Sequence, residues 1–245
     1  MRKRATLRVT PSSALRQYRR PGVVIRVNCS RLNQSVLYLS DLSDRSTTVP
    51  QLWVLAGGNG AGKSTFFHLA LEPRGVKLIN ADVIAKIIQP LNPESVSYEA
   101  AGLAEKIRNT LLQQGTSFCF ETVFSHPSKV DFIAKAKGLG YQVILVYIHL
   151  AAAHLNEARV WQRVSQGGHG VPAAKIHSRI PRSMQHAAAA LLLADEARLL
   201  DNSFRDDPFR QVAVVRNGRC VWTADPLPVW AGQMLSGISG CREPV

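Results

Sequence analysis

The apolar run Leu52-Trp53-Val54-Leu55-Ala56 leads directly into Gly57-Gly58-Asn59-Gly60-Ala61-Gly62-Lys63-Ser64-Thr65, a complete GxxxxGK[ST] pattern followed by a helix-compatible stretch. Few local sequences constrain a fold so tightly. The glycines let the backbone curl with its N–H groups turned inward, the lysine reaches the β- and γ-phosphates of a nucleotide, and the serine hydroxyl faces Mg²⁺ at a helix start whose dipole favours anions. Gly57, Gly58, Asn59, Gly60, Ala61, Gly62, Lys63, Ser64 and Thr65 are therefore expected to hold a nucleoside triphosphate, with Ser64 on the metal.

Around this loop, strand and helix alternate in the manner of a mostly parallel sheet. Strands are expected at 52–56, 76–80, 117–120 and 142–149, and helices at 63–71, from Asn92 and Pro93 to about 114, and at 128–139. Beyond them, 155–166 and 173–200 read as helical, the second with a break, separated by Gly167-Gly168-His169-Gly170-Val171-Pro172. Residues 212–215 and 219–222 flank Asn217-Gly218 as a hairpin, and a last helix follows Pro226. The predicted fold class is α/β: a P-loop, nucleotide-kinase-like parallel sheet flanked by helices, with a helical lid over about 155–190.

The net charge of +13 invites a nucleic-acid reading, but its distribution weakens it. Residues 1–50 hold ten Lys or Arg against two Asp, whereas 51–245 hold twenty basic against fifteen acidic residues. Most of the excess thus lies in a basic N-terminal extension, residues 1–48, read as loosely ordered with β-like stretches at 22–27 and 36–39; the catalytic body is 49–245. The extension lacks the aromatic interleaving and the recognisable modules of nucleic-acid binding. An Arg-rich, acid-poor leader would also suit an organelle transit segment in a eukaryote, as a minor alternative. No apolar stretch approaches the ~18 residues of a membrane span, and the four scattered cysteines form neither a disulfide framework nor a zinc site. A soluble, cytoplasmic protein is expected.

Asp82 falls at the carboxyl end of the second strand, where open α/β sheets gather their ligands. It is either a base for an attacking hydroxyl or the N-cap of the helix that follows. Arg159 and Arg163 lie four apart on one helix, and Arg179 and Arg182 three apart on the next, so two basic faces flank a glycine-bounded hinge. That arrangement suits a lid placing guanidinium groups on a transferring phosphate. Glu121 and Thr122 end the third strand, where they either meet metal or substrate or cap the next turn. No strand ends in the Asp-Glu or Asp-Asp of motor-type ATPases.

Taken in order, Gly57 to Thr65, Ile79-Asn80-Ala81-Asp82, Ser117-Phe118-Cys119-Phe120-Glu121-Thr122, Gly140-Tyr141, Arg159 and Arg163 with the Gly-Gly-His-x-Val-Pro loop, and Arg179 resemble the zeta toxin family over roughly 51–200, closest to its Gram-negative branch. The resemblance implies a P-loop kinase using ATP and Mg²⁺ to phosphorylate a UDP-amino sugar, typically the 3′-hydroxyl of UDP-N-acetylglucosamine. It implies Asp82 as base, Lys63 as loop lysine, Arg163 and Arg179 as lid arginines, with Arg182 the alternative to Arg179, and Glu121 and Thr122 on the substrate side. An antitoxin protein, or the chain's own extension acting in cis, is the implied regulator. Other readings are a kinase for an antibiotic, nucleoside or polynucleotide end, and an ATP-binding regulator that contacts nucleic acid through its basic arm.

Overall fold

A computed structural model of the chain describes residues 15–20, 23–28, 49–168 and 170–240, and divides it into two compact units, Met1–Ser46 and Thr47–Val245. The first unit carries an antiparallel pair, β1 (Leu15–Arg20) and β2 (Val23–Asn28), registered from Leu15 opposite Asn28 to Arg20 opposite Val23. The expected stretch at 22–27 overlaps β2. The one at 36–39 lies outside the described residues.

The second unit is built on a seven-stranded sheet in the order β4-β5-β3-β6-β7-β8-β9. Its strands are β3 (Gln51–Ala56), β4 (Leu78–Ile79), β5 (Phe118–Thr122), β6 (Gln142–His149), β7 (Glu196–Asp201), β8 (Arg210–Arg216) and β9 (Arg219–Thr223). The first five of these run parallel, and β8 and β9 close the edge as an antiparallel hairpin. Helices α1 (Lys63–Phe66), α2 (Ala81–Ile88), α3 (Ser97–Gln113), α4 (Ser128–Gly138), α5 (Ala153–Ser165), α6 (Ala173–Leu191) and α7 (Val229–Leu235) flank it.

The central strands β3 and β6 read as unbroken apolar runs because both faces are covered. Leu52, Val54, Val143, Leu145 and Tyr147 belong to one core with Leu112, Ile133, Ala187 and Leu191 from α3, α4 and α6, while Trp53, Leu55, Ile144 and Val146 are buried on alternate positions. Tyr141 locks the return to β6, its hydroxyl donating to the carbonyls of Leu111 (2.9 Å) and Thr116 (3.0 Å). Asn217 and Gly218, at φ 47° and 71°, make the tight β8–β9 turn expected of Asn-Gly.

The sequence-based reading needs correction at three places. Residues 196–200 form β7 rather than the end of a helix: Glu, Ala, Arg, Leu and Leu favour helix locally, but docking between β6 and β8 buries all six residues of this strand and overrides that propensity. The second strand shrinks to Leu78–Ile79 at the sheet edge. The helix after the phosphate loop is α-helical only to Phe66, then widens into a π-helical turn over Phe67–Leu71.

Helix α6 is rooted in the body. Ser183, fully buried, donates to the Val123 carbonyl (2.5 Å) and accepts a long bond from Tyr147 Oη (3.4 Å), while Ala187, Ala190 and Leu191 enter the core. Burial pushes the Tyr147 phenol up to about 12.

Candidate active site

Because β4, β5 and β3 are parallel neighbours, their carboxyl ends open onto one crevice, and the residues singled out in the sequence meet there. The phosphate loop follows β3. Its conformation requires glycine: Gly62 adopts φ 101°, and a Cβ there would sit 2.5 Å from Asn202 Nδ2. A Cβ on Gly57, at φ 142°, would collide with the Ile148 carbonyl oxygen of β6.

Two asparagines brace the loop from behind. Asn156 on α5 donates to the Asn59 carbonyl (2.7 Å), and Asn202, just past β7, donates to the Ala61 carbonyl (2.8 Å) while accepting from the Phe209 N–H (3.3 Å). Both are buried. Arg159, one turn beyond Asn156, donates to the Asn202 carbonyl (2.7 Å), so helix, loop and the 202–209 segment are tied together. Neither asparagine stood out in the sequence. Their only signal is type, a short amide at the end of a buried strand or within an otherwise apolar helical face, and only the fold shows what it holds.

Lys63 turns back over the loop, its ammonium donating to the Gly57 (2.9 Å) and Gly58 (3.0 Å) carbonyls. Desolvation is the main reason its pKa lies below the usual lysine value; Arg163 lowers it further, while Glu121 and Asp82 pull it back up. The expected lysine, base, acidic residue and first lid arginine are therefore within electrostatic reach of one another. Arg179 does not figure among these charges; it is half-buried on α6 and carries no hydrogen bond or ion pair among the described residues. Arg182 is exposed and returns its Nε to the Ser178 carbonyl of its own helix (3.1 Å).

Ser64 and Glu121 meet directly across the crevice: the hydroxyl lies 2.9 and 3.1 Å from the two carboxylate oxygens, and Asn80 Nδ2 donates to the same carboxylate (2.6 Å). Asn80, not Asp82, is the N-cap of α2, its Oδ1 accepting from the Asp82 N–H (2.7 Å). Asp82 sits in the first turn, exposed, with no side-chain hydrogen bond among the described residues. Capping does not account for its carboxylate. Glu121 likewise serves no cap, whereas Thr122 Oγ1 accepts from the Phe124 N–H (3.0 Å), supporting a turn in which Phe124 takes φ 63°. Thr65 is exposed beside Ser64.

In the turn that follows α5, Gly167 adopts φ 79° and the Gly168 N–H donates to the Arg163 carbonyl (2.9 Å). A Cβ on Gly168 would lie 2.5 Å from Arg163 Cγ. The glycine pair thus ends α5 and leaves room for the arginine stem.

A seven-stranded, mostly parallel sheet with a braced phosphate loop and acidic side chains at the adjoining strand ends defines a P-loop kinase-like α/β protein. Residues 37–225, well over half of the chain, match the Zeta toxin family, and the chain belongs to it. The match begins inside the stretch that the sequence set apart as an extension. An uncharacterized protein of Haemophilus influenzae (strain ATCC 51907 / DSM 11121 / KW20 / Rd) is 32% identical over 126 residues, spanning 49% of this chain and 89% of its own length. In fold, the chain is similar to the crystal structure of AvrRxo1-ORF1:-ORF2 with ATP, at TM-score 0.61 and 18% identity over 88% of this chain and 72% of the other. The native AvrRxo1-ORF1:-ORF2 complex gives TM-score 0.58 and 20% identity over 85% and 71%.

Proposed function

We propose that the protein is an ATP-dependent kinase that transfers the γ-phosphoryl group to a hydroxyl of a UDP-amino sugar, UDP-N-acetylglucosamine, and acts as a toxin restrained by an antitoxin protein. The observation that carries this reading is the pairing of Ser64 with Glu121 across the crevice, with the Asp82 carboxylate within electrostatic reach of Lys63. Its acceptor identity rests on family membership and on the motif order described above.

In this reading the loop N–H groups and Lys63 hold the donor phosphates, and Lys63 exchanges its carbonyl partners for phosphate oxygens. The Ser64 hydroxyl and Glu121 carboxylate are hard oxygen donors a hydrogen-bond length apart, which suits Mg²⁺, an ion bound through one or two carboxylates and substrate phosphates. When bound, Mg²⁺ supplies charge neutralisation on the β- and γ-phosphoryl oxygens. Asp82 accepts the proton of the acceptor hydroxyl as its oxygen bonds to phosphorus and the ADP oxygen leaves. Arg163 and Arg179 stabilise the equatorial oxygens from a lid made of α5, the 166–172 loop and the first turns of α6, while Thr122 orients the acceptor. The catalytic body is 49–245. An antitoxin that covers the crevice is consistent with membership of this family and with a fold also found in a two-protein complex.

The deciding experiment is mass spectrometry of UDP-N-acetylglucosamine incubated with the protein and Mg-ATP. A gain of one phosphate that disappears with Asp82→Ala supports the proposal; no gain on this acceptor, with transfer to an oligonucleotide or another alcohol instead, sinks the UDP-sugar reading.

A further inference from the structure

A second cavity, of about 470 Å³, opens between the carboxyl end of β6, helix α6 and helix α7. His149 lines it from β6, Ile180 and Met184 from α6, and Val229, Trp230 and Gln233 from α7. None of Lys63, Ser64, Asp82 and Glu121 belongs to its wall. Its volume lies within the ~300–1,000 Å³ of clefts that enclose a whole small molecule.

Two of the lining side chains are polar, deeply buried and unused. His149 and Trp230 are each 7% exposed, with ring centres 4.6 Å apart. The indole Nε1 has no hydrogen-bond partner, and the imidazole makes no side-chain hydrogen bond among the described residues. Buried donors and acceptors are nearly always paired, so two orphans on one wall point to a group that completes them. Burial lowers the His149 pKa to about 4, although Asp201 pulls it upward, so the ring is neutral near pH 7. Gln233, one turn beyond Trp230 and exposed, brings an amide that is likewise without a hydrogen bond among the described residues. No lining residue carries a charge at that pH, so an ionic ligand would shed its hydration with nothing to replace it. Flat aromatic walls beside the adaptable Met184 thioether favour a planar occupant.

We propose that this cavity is a second ligand site, separate from the phosphate loop, for an uncharged planar aromatic molecule that packs on His149 and Trp230 and hydrogen-bonds through its heteroatoms to the imidazole, the indole and the Gln233 amide. The site stands independently of the kinase reading. Its wall is nevertheless joined to the loop: the His149 carbonyl accepts from the Asn202 N–H (2.9 Å), and Asn202 holds the Ala61 carbonyl (2.8 Å).

The test titrates 2-naphthamide, a neutral planar amide, into full-length protein with and without a saturating non-hydrolysable ATP analogue, beside the isosteric anion 2-naphthoate. Wild type is expected to bind one naphthamide in both conditions, and naphthoate roughly 10-fold or more weakly, because a buried charge finds no partner there. His149→Phe, which keeps a ring but removes its nitrogens, and Gln233→Leu should each weaken naphthamide uptake by about 3- to 10-fold, the loss of one neutral hydrogen bond. Gln233 is exposed, so its variant separates a lost hydrogen bond from any loss of packing in His149→Phe. In nitrogen-edited NMR spectra the Trp230 indole N–H resonance, assigned by its disappearance in Trp230→Phe, should shift on naphthamide addition. No uptake by wild type, equal uptake of the two probes, uptake indifferent to both substitutions, or displacement of naphthamide by the ATP analogue each overturns the proposal.

Discussion

The strand that local propensity misassigned carries the most deeply buried ion pair among the described residues. Glu196 and Arg198, two apart on β7 and so on one face, are 3% and 2% exposed. Glu196 accepts from Arg198 Nε at 2.6 Å and from Arg216 Nε at 3.0 Å, and Arg198 Nη1 donates to Gln211 Oε1 at 3.0 Å. Glu196→Gln keeps the shape but strips the countercharge from a guanidinium that water cannot reach. Breaking a buried pair this way costs about 3–5 kcal/mol. For a body of this size each kcal/mol moves the melting point by roughly 2–4 °C, so a fall of about 6–20 °C is expected. Arg216, with its side chain half exposed, turns to solvent and adds little. Replacing both members, Glu196→Met with Arg198→Met, removes the unpaired charge and should recover most of the loss. Urea unfolding followed by circular dichroism measures both, at constant m-value. A change below about 1 kcal/mol in the single variant, or a double variant no better than the single, refutes the claim that buried charge compensation holds β7 in place.

Four further outcomes test the site and its support. Asp82→Asn should lower kcat by about 10²- to 10⁴-fold while ATP affinity by calorimetry stays near wild type; equal loss of both argues against its role as base. Glu121→Gln should raise the Mg²⁺ concentration needed for half-maximal turnover, because Ser64 loses its charged partner; an unchanged Mg²⁺ dependence removes Glu121 from the metal. His149 is packed 4.6 Å from Trp230 and 6.0 Å from Tyr147, and burial lowers its pKa to about 4 despite Asp201 pulling it upward. The unfolded chain then takes up a proton that the folded one refuses, so stability should fall as pH drops from about 6.5 to about 4, by about 3 kcal/mol, and level off below; His149→Phe, which retains the stacking, should flatten that part of the profile. Asn202→Ala leaves the Ala61 carbonyl and Phe209 N–H without their partner and should destabilise by about 1–3 kcal/mol, with a weaker ATP affinity read in the same titration.

The parts of the fold that local chemistry dictates were legible in the sequence. The glycine spacing located the loop, unbroken apolar runs located β3 and β6, and Asn217-Gly218 located the hairpin, since each depends on residues adjacent in the chain. The position of β7 was not legible, because Glu-Ala-Arg-Leu-Leu favours helix until β6 and β8 supply partners on both sides. At the site, Lys63, Ser64, Asp82 and Glu121 could be read from motif and strand end. What joins them could not: the cap moved from Asp82 to Asn80 because the amide reaches both the Asp82 N–H and Glu121, and that second contact spans 41 positions of sequence. Asn156 and Asn202 act across 97 and 141 positions, beyond the reach of any local pattern.

The bracing of the phosphate loop also fixes a geometry of movement. With Asn156 bonded to the loop and Arg159 to the segment after β7, two pins hold α5 within its first two turns. Arg163 stands four residues past the last pin, about 6 Å along the helix axis at 1.5 Å per residue. A helix fixed so close to its guanidinium has almost no lever arm, so bending α5 displaces the Arg163 backbone little. In the proposed kinase, Arg163 would then reach the phosphates by side-chain rotation rather than by bending of its helix.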